Sequence, residues 1–350
     1  MVQCFADFLD QGAYIGGAPV ESFEKAFAKW CGRNFAVAVG NGTDALELAL
    51  RAAGVTSGDE VICVANAGGY STAACLAIGA VPVYVDVRPE DAQLDYEATL
   101  AATGGRTKAI VATHLFGLKS DLSVLRRALD GNGRRDIRII EDCAQAHGAK
   151  TSSGFHGDLA TYSFYPTKNL GAMGDAGAVV VDEIFYAERV RALRQYGWTS
   201  RYRSEVSHGR NSRMDGLQAA ILKISLNRVD DQNARRRQIW SRYIRAVPPG
   251  WRMIGEDDAR FVAHLCVIVA PDRARHESMK LHLDELKVGH AIHYPILDPD
   301  QPAWRGAGRS SSPLTNAYWL LERILTIPCF AEMSEAEVES VSSALSTFKG

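Results

Sequence analysis

No two of the chain's 7 cysteines stand in Cys-x-x-Cys spacing, and their number is odd. This removes the usual sequence signals for a structural zinc site or a redox dithiol. Cys63 in Val-Ile-Cys-Val and Cys75 in Ala-Ala-Cys-Leu sit in apolar runs, as do most of the others (Cys4, Cys31, Cys143, Cys266 and Cys329). A reduced cysteine in such surroundings acts as a small hydrophobe and points to a reducing compartment. No metal is expected. Charge of one sign is also lacking: the formal net charge is -2, with no basic tail or Lys/Arg block. Neither nucleic acid nor an anionic membrane surface is an expected partner. No apolar run is long enough to cross a bilayer, and Met1–Asp7 has no basic region leading into an apolar stretch. The expected location is therefore cytoplasmic. Internal repeats and low-complexity tracts are absent.

What is present is a composition of 47% hydrophobic and 23% charged residues over 350 positions. That suffices for one large domain with a sizeable core and a smaller one. From residue 34 short β-rich runs alternate with helical stretches. Strands are expected at Asn34–Val39, Glu60–Val64, Val81–Val87, Lys108–Thr113, Ile137–Glu141, Leu159–Tyr162 and Gly177–Val181. Helices are expected at Thr43–Ala53, Ser71–Ile78, Asp121–Leu129 and Ile184–Tyr196, with a long one from Asp215 to about Val247. Such alternation predicts an α/β fold with a mostly parallel sheet covered by helices on both faces, and ligands at the carboxyl ends of its strands. The composition shift at Val247-Pro-Pro-Gly250 divides the chain into 1–247 and a smaller α+β domain, 248–350, which includes Phe261–Ala270 and Glu335–Ser346. Arg305–Ser312, rich in Gly and Ser, reads as a mobile surface loop.

Three segments carry chemistry. Gly40-Asn41-Gly42-Thr43-Asp44 joins a strand to a helix, so free backbone N–H groups and the positive helix end face one spot. A phosphate fits such a site; a Gly-rich turn with Thr43 as an ordinary N-cap is the other reading. A P-loop is excluded, because the Gly-Lys-Ser/Thr ending is missing. Asp142 follows an apolar strand, which puts its carboxylate in the crevice. Buried there it needs a cationic partner, for which a protonated pyridine nitrogen serves, or it caps the next helix. Lys168 follows a buried strand between Pro166 and Gly171. Desolvation would free the neutral amine that imine formation requires, whereas most lysines are solvated surface charges.

Together these segments resemble the sugar aminotransferases of the DegT/DnrJ/EryC1/StrS family, from about Gly12 to the C-terminus. The resemblance begins with Gly12-Ala-Tyr-Ile-Gly-Gly-Ala-Pro-Val-Glu-Ser-Phe-Glu and continues through Gly42-Thr-Asp-Ala-Leu, Gly58-Asp-Glu-Val-Ile and Val85-Asp-Val. Its strongest motifs are Glu141-Asp-Cys-Ala-Gln-Ala-His-Gly-Ala and Ser163-Phe-Tyr-Pro-Thr-Lys-Asn-Leu-Gly, followed by Asn211-Ser-Arg-Met-Asp-Gly-Leu-Gln-Ala-Ala and His293-Tyr-Pro. The resemblance implies a three-layer fold type I large domain that binds pyridoxal 5′-phosphate (PLP), a small C-terminal domain, and a homodimer with active sites at its interface. It implies that Lys168 carries PLP as a Schiff base and that Asp142 pairs with the pyridine nitrogen. Gln145 is implied near the ring's 3-hydroxyl, and Ser163 with the Gly42-Thr43-Asp44 turn at the phosphate. Asn211 would reach the phosphate from the partner subunit. Arg213, His293 and Tyr294 match positions lining the substrate side, or else pack an ordinary interface.

Two positions depart from the family pattern. Members commonly stack an aromatic on the PLP ring from a segment that here reads Ala65-Asn-Ala-Gly-Gly-Tyr-Ser-Thr, with Gly68 at the aligned place. Tyr70 is the residue expected to supply the ring contact instead. A histidine often found after the His-Tyr-Pro motif is here Asp298. Dehydratase members replace the lysine with histidine, so Lys168 argues for transamination. The implied reaction moves an amino group, from L-glutamate as in the family, onto a nucleotide-linked keto sugar. The alternatives are a keto-cyclitol substrate and a PLP-bound regulatory protein without turnover.

Overall fold

The computed structural model describes Phe8, Gly12 and residues 14–350. Met1–Asp7, with Cys4 and the expectation drawn from that stretch, lies outside the described residues. Strands β1 (Phe35–Val39), β2 (Glu60–Val64), β3 (Val81–Val85), β4 (Thr107–Thr113), β5 (Arg138–Asp142), β6 (Leu159–Ser163) and β7 (Gly177–Val181) follow one another along the chain. They are nearly continuous apolar runs because both faces are covered: every residue of β2 and β7 is buried.

These strands form one sheet in the order β1-β7-β6-β5-β4-β2-β3, extended at the β3 edge by a two-residue strand, Arg309–Ser310. Only β7 runs against its neighbours; the pairings from β6 across to the Arg309–Ser310 edge are parallel. On opposite faces of the sheet, helices α1 (Gly17–Cys31) and α2 (Gly42–Ala52) lie in separate apolar clusters, Phe23 and Phe27 with Ala178 and Val180, and Leu46, Leu48 and Leu50 with Val179 and Val181. Another cluster joins Ile62, Val83 and Ile110 to Leu122, Leu125 and Leu129. Burial of each such side chain contributes about 1.5–3 kcal/mol. The layered α/β architecture agrees with the expectation.

Past the large sheet, Arg252–Ile254, Cys266–Val269 and Ile324–Ile327 make a separate three-stranded antiparallel sheet. Its core joins Ile268 and Leu325 to Met279, Leu283, Val338 and Leu345.

Three expectations are corrected. The helix expected over Asp215–Val247 is two, Gly216–Leu226 and Val229–Tyr243, separated at Asn227–Arg228. The helix expected over Ile184–Tyr196 ends at Leu193, and the chain turns through Tyr196 at φ 58 into the hairpin Trp198–Ser200/Arg203–Ser204. Arg305–Ser312 is not a free loop: Arg309 leads the edge strand and meets Glu60 at 2.9 Å. The six described cysteines are free thiols. Among the described residues no helix is long and apolar enough to cross a membrane.

Candidate active site

The carboxyl edge of the large sheet opens into a cavity of about 890 Å³, lined by Gly42, Thr43, Tyr70, Asp142, Gln145, Ser163, Lys168, His293 and Tyr294 among others. Local sequence brings these together. Asp142 and Ser163 are the last residues of β5 and β6, and Gly42 opens α2 just beyond β1.

At the α2 end, the side chain of Asn41 accepts a 2.8 Å bond from the Asp44 N–H, so Asn41 rather than Thr43 is the N-cap. Among the described residues the N–H groups of Gly42 and Thr43 make no hydrogen bond and face the cavity end of the helix. Gly42 is required by contact: a Cβ there would lie 2.5 Å from the Cβ of Ser163. The result is a small concavity with backbone donors, two hydroxyls and a positive helix end, the donor set a phosphate dianion takes. Asp44 stands apart from it. Its carboxylate takes the Ser212 hydroxyl at 2.6 Å and pairs with Arg210, so the side chain is committed away from the cavity. An anion there would also be repelled by it.

Asp142 is buried, and only neutral groups bind it: the Ala144 N–H at 3.1 Å and, more loosely, the Thr113 hydroxyl at 3.4 Å. Burial pushes its carboxyl above the usual range against those bonds and the charge of Lys168. A cation placed against it would relieve that penalty, and a protonated pyridine nitrogen has the needed chemistry. Lys168 is half-buried and, among the described residues, has no ion-pair or hydrogen-bond partner for its amine. Burial lowers its pKa, opposed by Asp142. The residues present therefore fit PLP: an anion cradle, an acid for the ring nitrogen and an unpartnered, desolvated amine.

Glu141, next in sequence, faces elsewhere. Its Oε2 meets His114 Nε2 at 2.9 Å and Lys119 Nζ at 3.2 Å, while Oε1 accepts the N–H groups of His156 and Gly157. Burial opposes ionisation, but the Lys119 charge and the His114 bond hold the carboxyl far below the usual range. His114, Glu141 and Cys143 bring ligand-type atoms within 4.8 Å of one another, yet both Glu141 oxygens already have partners.

Gln145 bridges two parts of the site. Its Oε1 accepts the Phe116 N–H at 2.7 Å, and its Nε2 donates to the Tyr294 hydroxyl at 3.0 Å. His293 Nδ1 lies 2.9 Å from the Thr326 hydroxyl, and burial lowers its pKa. Asn211 and Arg213 are not brought into this cavity. Arg213, itself half-buried, donates to the exposed Asn211 at Oδ1, 3.0 Å away, just before Gly216–Leu226.

Residues 1–346 match the DegT/DnrJ/EryC1/StrS aminotransferase family. The chain belongs to that family. The dTDP-3-amino-3,4,6-trideoxy-alpha-D-glucose transaminase of Streptomyces venezuelae is 36% identical over 346 residues, 97% of this chain and 89% of that one. The crystal structure of S. venezuelae DesV in complex with a ketimine intermediate superposes at a TM-score of 0.92, with 35% identity, covering 98% of this chain and 92% of that one. NtdA from Bacillus subtilis, with its bound cofactor PMP, gives 0.91 at 28% identity, covering 98% and 80%. This family member is a PLP-dependent aminotransferase.

Two residues of the aminotransferase site escaped the sequence reading. Asn169, quoted only as part of a motif, and His264, a polar break in the apolar run Phe261–Ala270, line the cavity and bond to each other. That polar break, and the amide directly after Lys168, were the available signals.

Proposed function

We propose that this aminotransferase transfers the amino group of L-glutamate to a nucleotide-linked keto sugar. What carries the reading is the convergence of Lys168, Asp142, Gln145 and Ser163 on one cavity, together with the nucleotide-sugar name of the S. venezuelae relative. That name gives carbon 3 to the amino group, so a 3-keto sugar is the first substrate to try.

Bound in the cavity, PLP supplies an electron sink for the carbon being deprotonated. Lys168 would hold it, and the Lys168 Nζ would take a proton from the donor's α-carbon and deliver one to the sugar's former keto carbon. A lowered pKa suits an amine that must accept a proton near neutrality. Asp142 would keep the ring nitrogen protonated, and Gln145 would meet the ring's 3-hydroxyl. Ser163 and the N–H groups of Gly42 and Thr43 bind the phosphate, with Asp44 acting only through the Arg210 and Ser212 bonds that fix the turn. His293 sits on the substrate side. Asn211 and Arg213, which lie outside this cavity on their own chain, serve the site of a second subunit in a homodimer. The division into 1–247 and 248–350 is supported by the separate three-stranded sheet, with Arg309–Ser310 reaching back to the first part.

The test is the half-reaction. L-glutamate added to the PLP form should yield one equivalent of 2-oxoglutarate and the amine form of the cofactor. That form should then aminate a dTDP-linked 3-keto sugar. Response to L-glutamine alone, with turnover of a keto-cyclitol, would replace this substrate class by the cyclitol one. A fully loaded protein that no amino acid converts would be a regulatory PLP binder.

A further inference from the structure

Gly68 sits at φ +78, and a Cβ built on it would lie 2.7 Å from both Cε2 and Cζ of Tyr294 and 2.9 Å from Cδ2. Real Cβ atoms do not approach that closely, so the phenol ring fills the volume into which any side chain at 68 would start. Gly69 repeats the relation: at φ +85, its Cβ would lie 2.4 Å from Cη2 and Cζ3 of Trp304. Two adjacent glycines thus receive two rings from a segment more than two hundred residues later.

The joint is clamped. Asp298 accepts the Gly69 N–H at 2.8 Å and the Thr72 hydroxyl at 3.0 Å, and its own N–H donates to Ala65 O at 2.8 Å. Tyr294 also lines the cavity beside Asp142, Gln145 and Lys168, with its hydroxyl fixed by Gln145 at 3.0 Å. Its ring is held against Gly68 and its tip against Gln145. Tyr70, the residue expected for the ring contact, is 47% exposed and meets Tyr294 edge-on, with centroids 6.2 Å apart at 76°. It buttresses Tyr294 rather than taking its place.

We infer that Tyr294 supplies the aromatic surface against the PLP ring, in the volume that Gly68 leaves open, and that the Gly68–Tyr294 pair does the work of a single aromatic at position 68. This rests on the reading that Lys168 and Asp142 hold PLP in this cavity. Tyr294 is then a cofactor-positioning residue first, with its effect on substrate following from ring placement.

The test compares holoenzymes of Tyr294→Leu, Tyr294→Phe and Tyr70→Leu with the wild type. The readouts are the rate of PLP loss on dilution, the visible circular dichroism of the bound cofactor, and the borohydride-labelled peptide. Tyr294→Leu should lose PLP roughly five- to tenfold faster, the ordinary worth of an aromatic pair, and weaken the dichroism. Tyr294→Phe should keep both near wild type, and Tyr70→Leu should change them less than Tyr294→Leu. Should Tyr294→Leu fail to fold, Tyr294→Met fills similar volume without a π-face and carries the same expectation. Losses in Tyr70→Leu with none in Tyr294→Leu, or a Phe variant as impaired as the Leu one, would overturn the assignment. A wild-type label away from Lys168 would overturn the underlying site reading as well. A label on Lys168 with unchanged PLP release in Tyr294→Leu removes the Tyr294 assignment alone.

Discussion

The imidazole Nδ1 of His264 lies 2.8 Å from the side-chain oxygen of Asn169, tying the residue after Lys168 to the C-terminal part of the chain. Burial holds the pKa of His264 well below its ordinary value, and because an amide oxygen only accepts, the bond takes the tautomer with its proton on Nδ1. The Asn169 amide donates in turn to Asn233 Oδ1 at 2.7 Å and Val262 O at 3.1 Å. The lysine loop is therefore pinned by a buried polar network rather than by packing alone.

Asn169→Ala should loosen that loop. It strands the buried ring of His264 and the oxygen of Asn233, at about 1–3 kcal/mol for each unsatisfied group. The urea midpoint should fall and PLP should be retained less well. An unchanged midpoint with unchanged PLP retention would show that the network does not position Lys168.

Asp298 should make stability depend on pH. Burial pushes its carboxyl from an ordinary 3.8 up to about 7, against the bonds from Thr72 and Gly69. The unfolded chain gives up this proton near pH 4, whereas the folded chain keeps it to about pH 7. The contribution is therefore complete below the unfolded pKa and is lost as pH rises through the folded one. At 1.36 kcal/mol per unit the loss is roughly 2–4 kcal/mol at most. Asp298→Asn, which keeps an acceptor for Gly69, should flatten the decline. Urea melts at pH 5, 6, 7 and 8 measure it; parallel slopes for wild type and variant would contradict the assignment.

Asn211 tests the shared site. If it bonds the phosphate of the partner's cofactor, Asn211→Ala removes a bond to a charged group, worth roughly 1.5–3 kcal/mol, and PLP affinity falls about one to two decades. Mixing Lys168→Ala with Asn211→Ala subunits should restore activity beyond either parent, because one site of the heterodimer then carries neither defect. Recovery no greater than the weighted average, with subunit exchange confirmed, would show that each chain builds its site alone.

Asp142 and Lys168 were legible because each follows a strand whose carboxyl end must open into the crevice, whereas Ser163 entered only through the family resemblance. The break at Asn227–Arg228 was not, since neither proline nor glycine marks it and both halves keep helical spacing. The edge strand at Arg309 hides in a Gly/Ser-rich stretch because the strand it pairs with, at Val83 and Tyr84, and the carboxylate its side chain meets, Glu60, are all more than two hundred positions away. The Asn41 cap and the commitment of Asp44 to Arg210 likewise depend on where a distant segment lands. Gly68 stood out in sequence as a missing aromatic, but only the fold shows the ring of Tyr294 against it.

The central claim is that Lys168 is the residue bonded to PLP, and borohydride reduction followed by peptide mapping tests it most directly. Reduction of the yellow holoenzyme should fix the cofactor to one peptide, Tyr165-Pro-Thr-Lys168-Asn-Leu-Gly, at the lysine. Lys168→Ala should take up PLP weakly through its phosphate contacts, give no reduced adduct and lose turnover. A label on any other lysine, or a stable adduct in Lys168→Ala, would contradict the account.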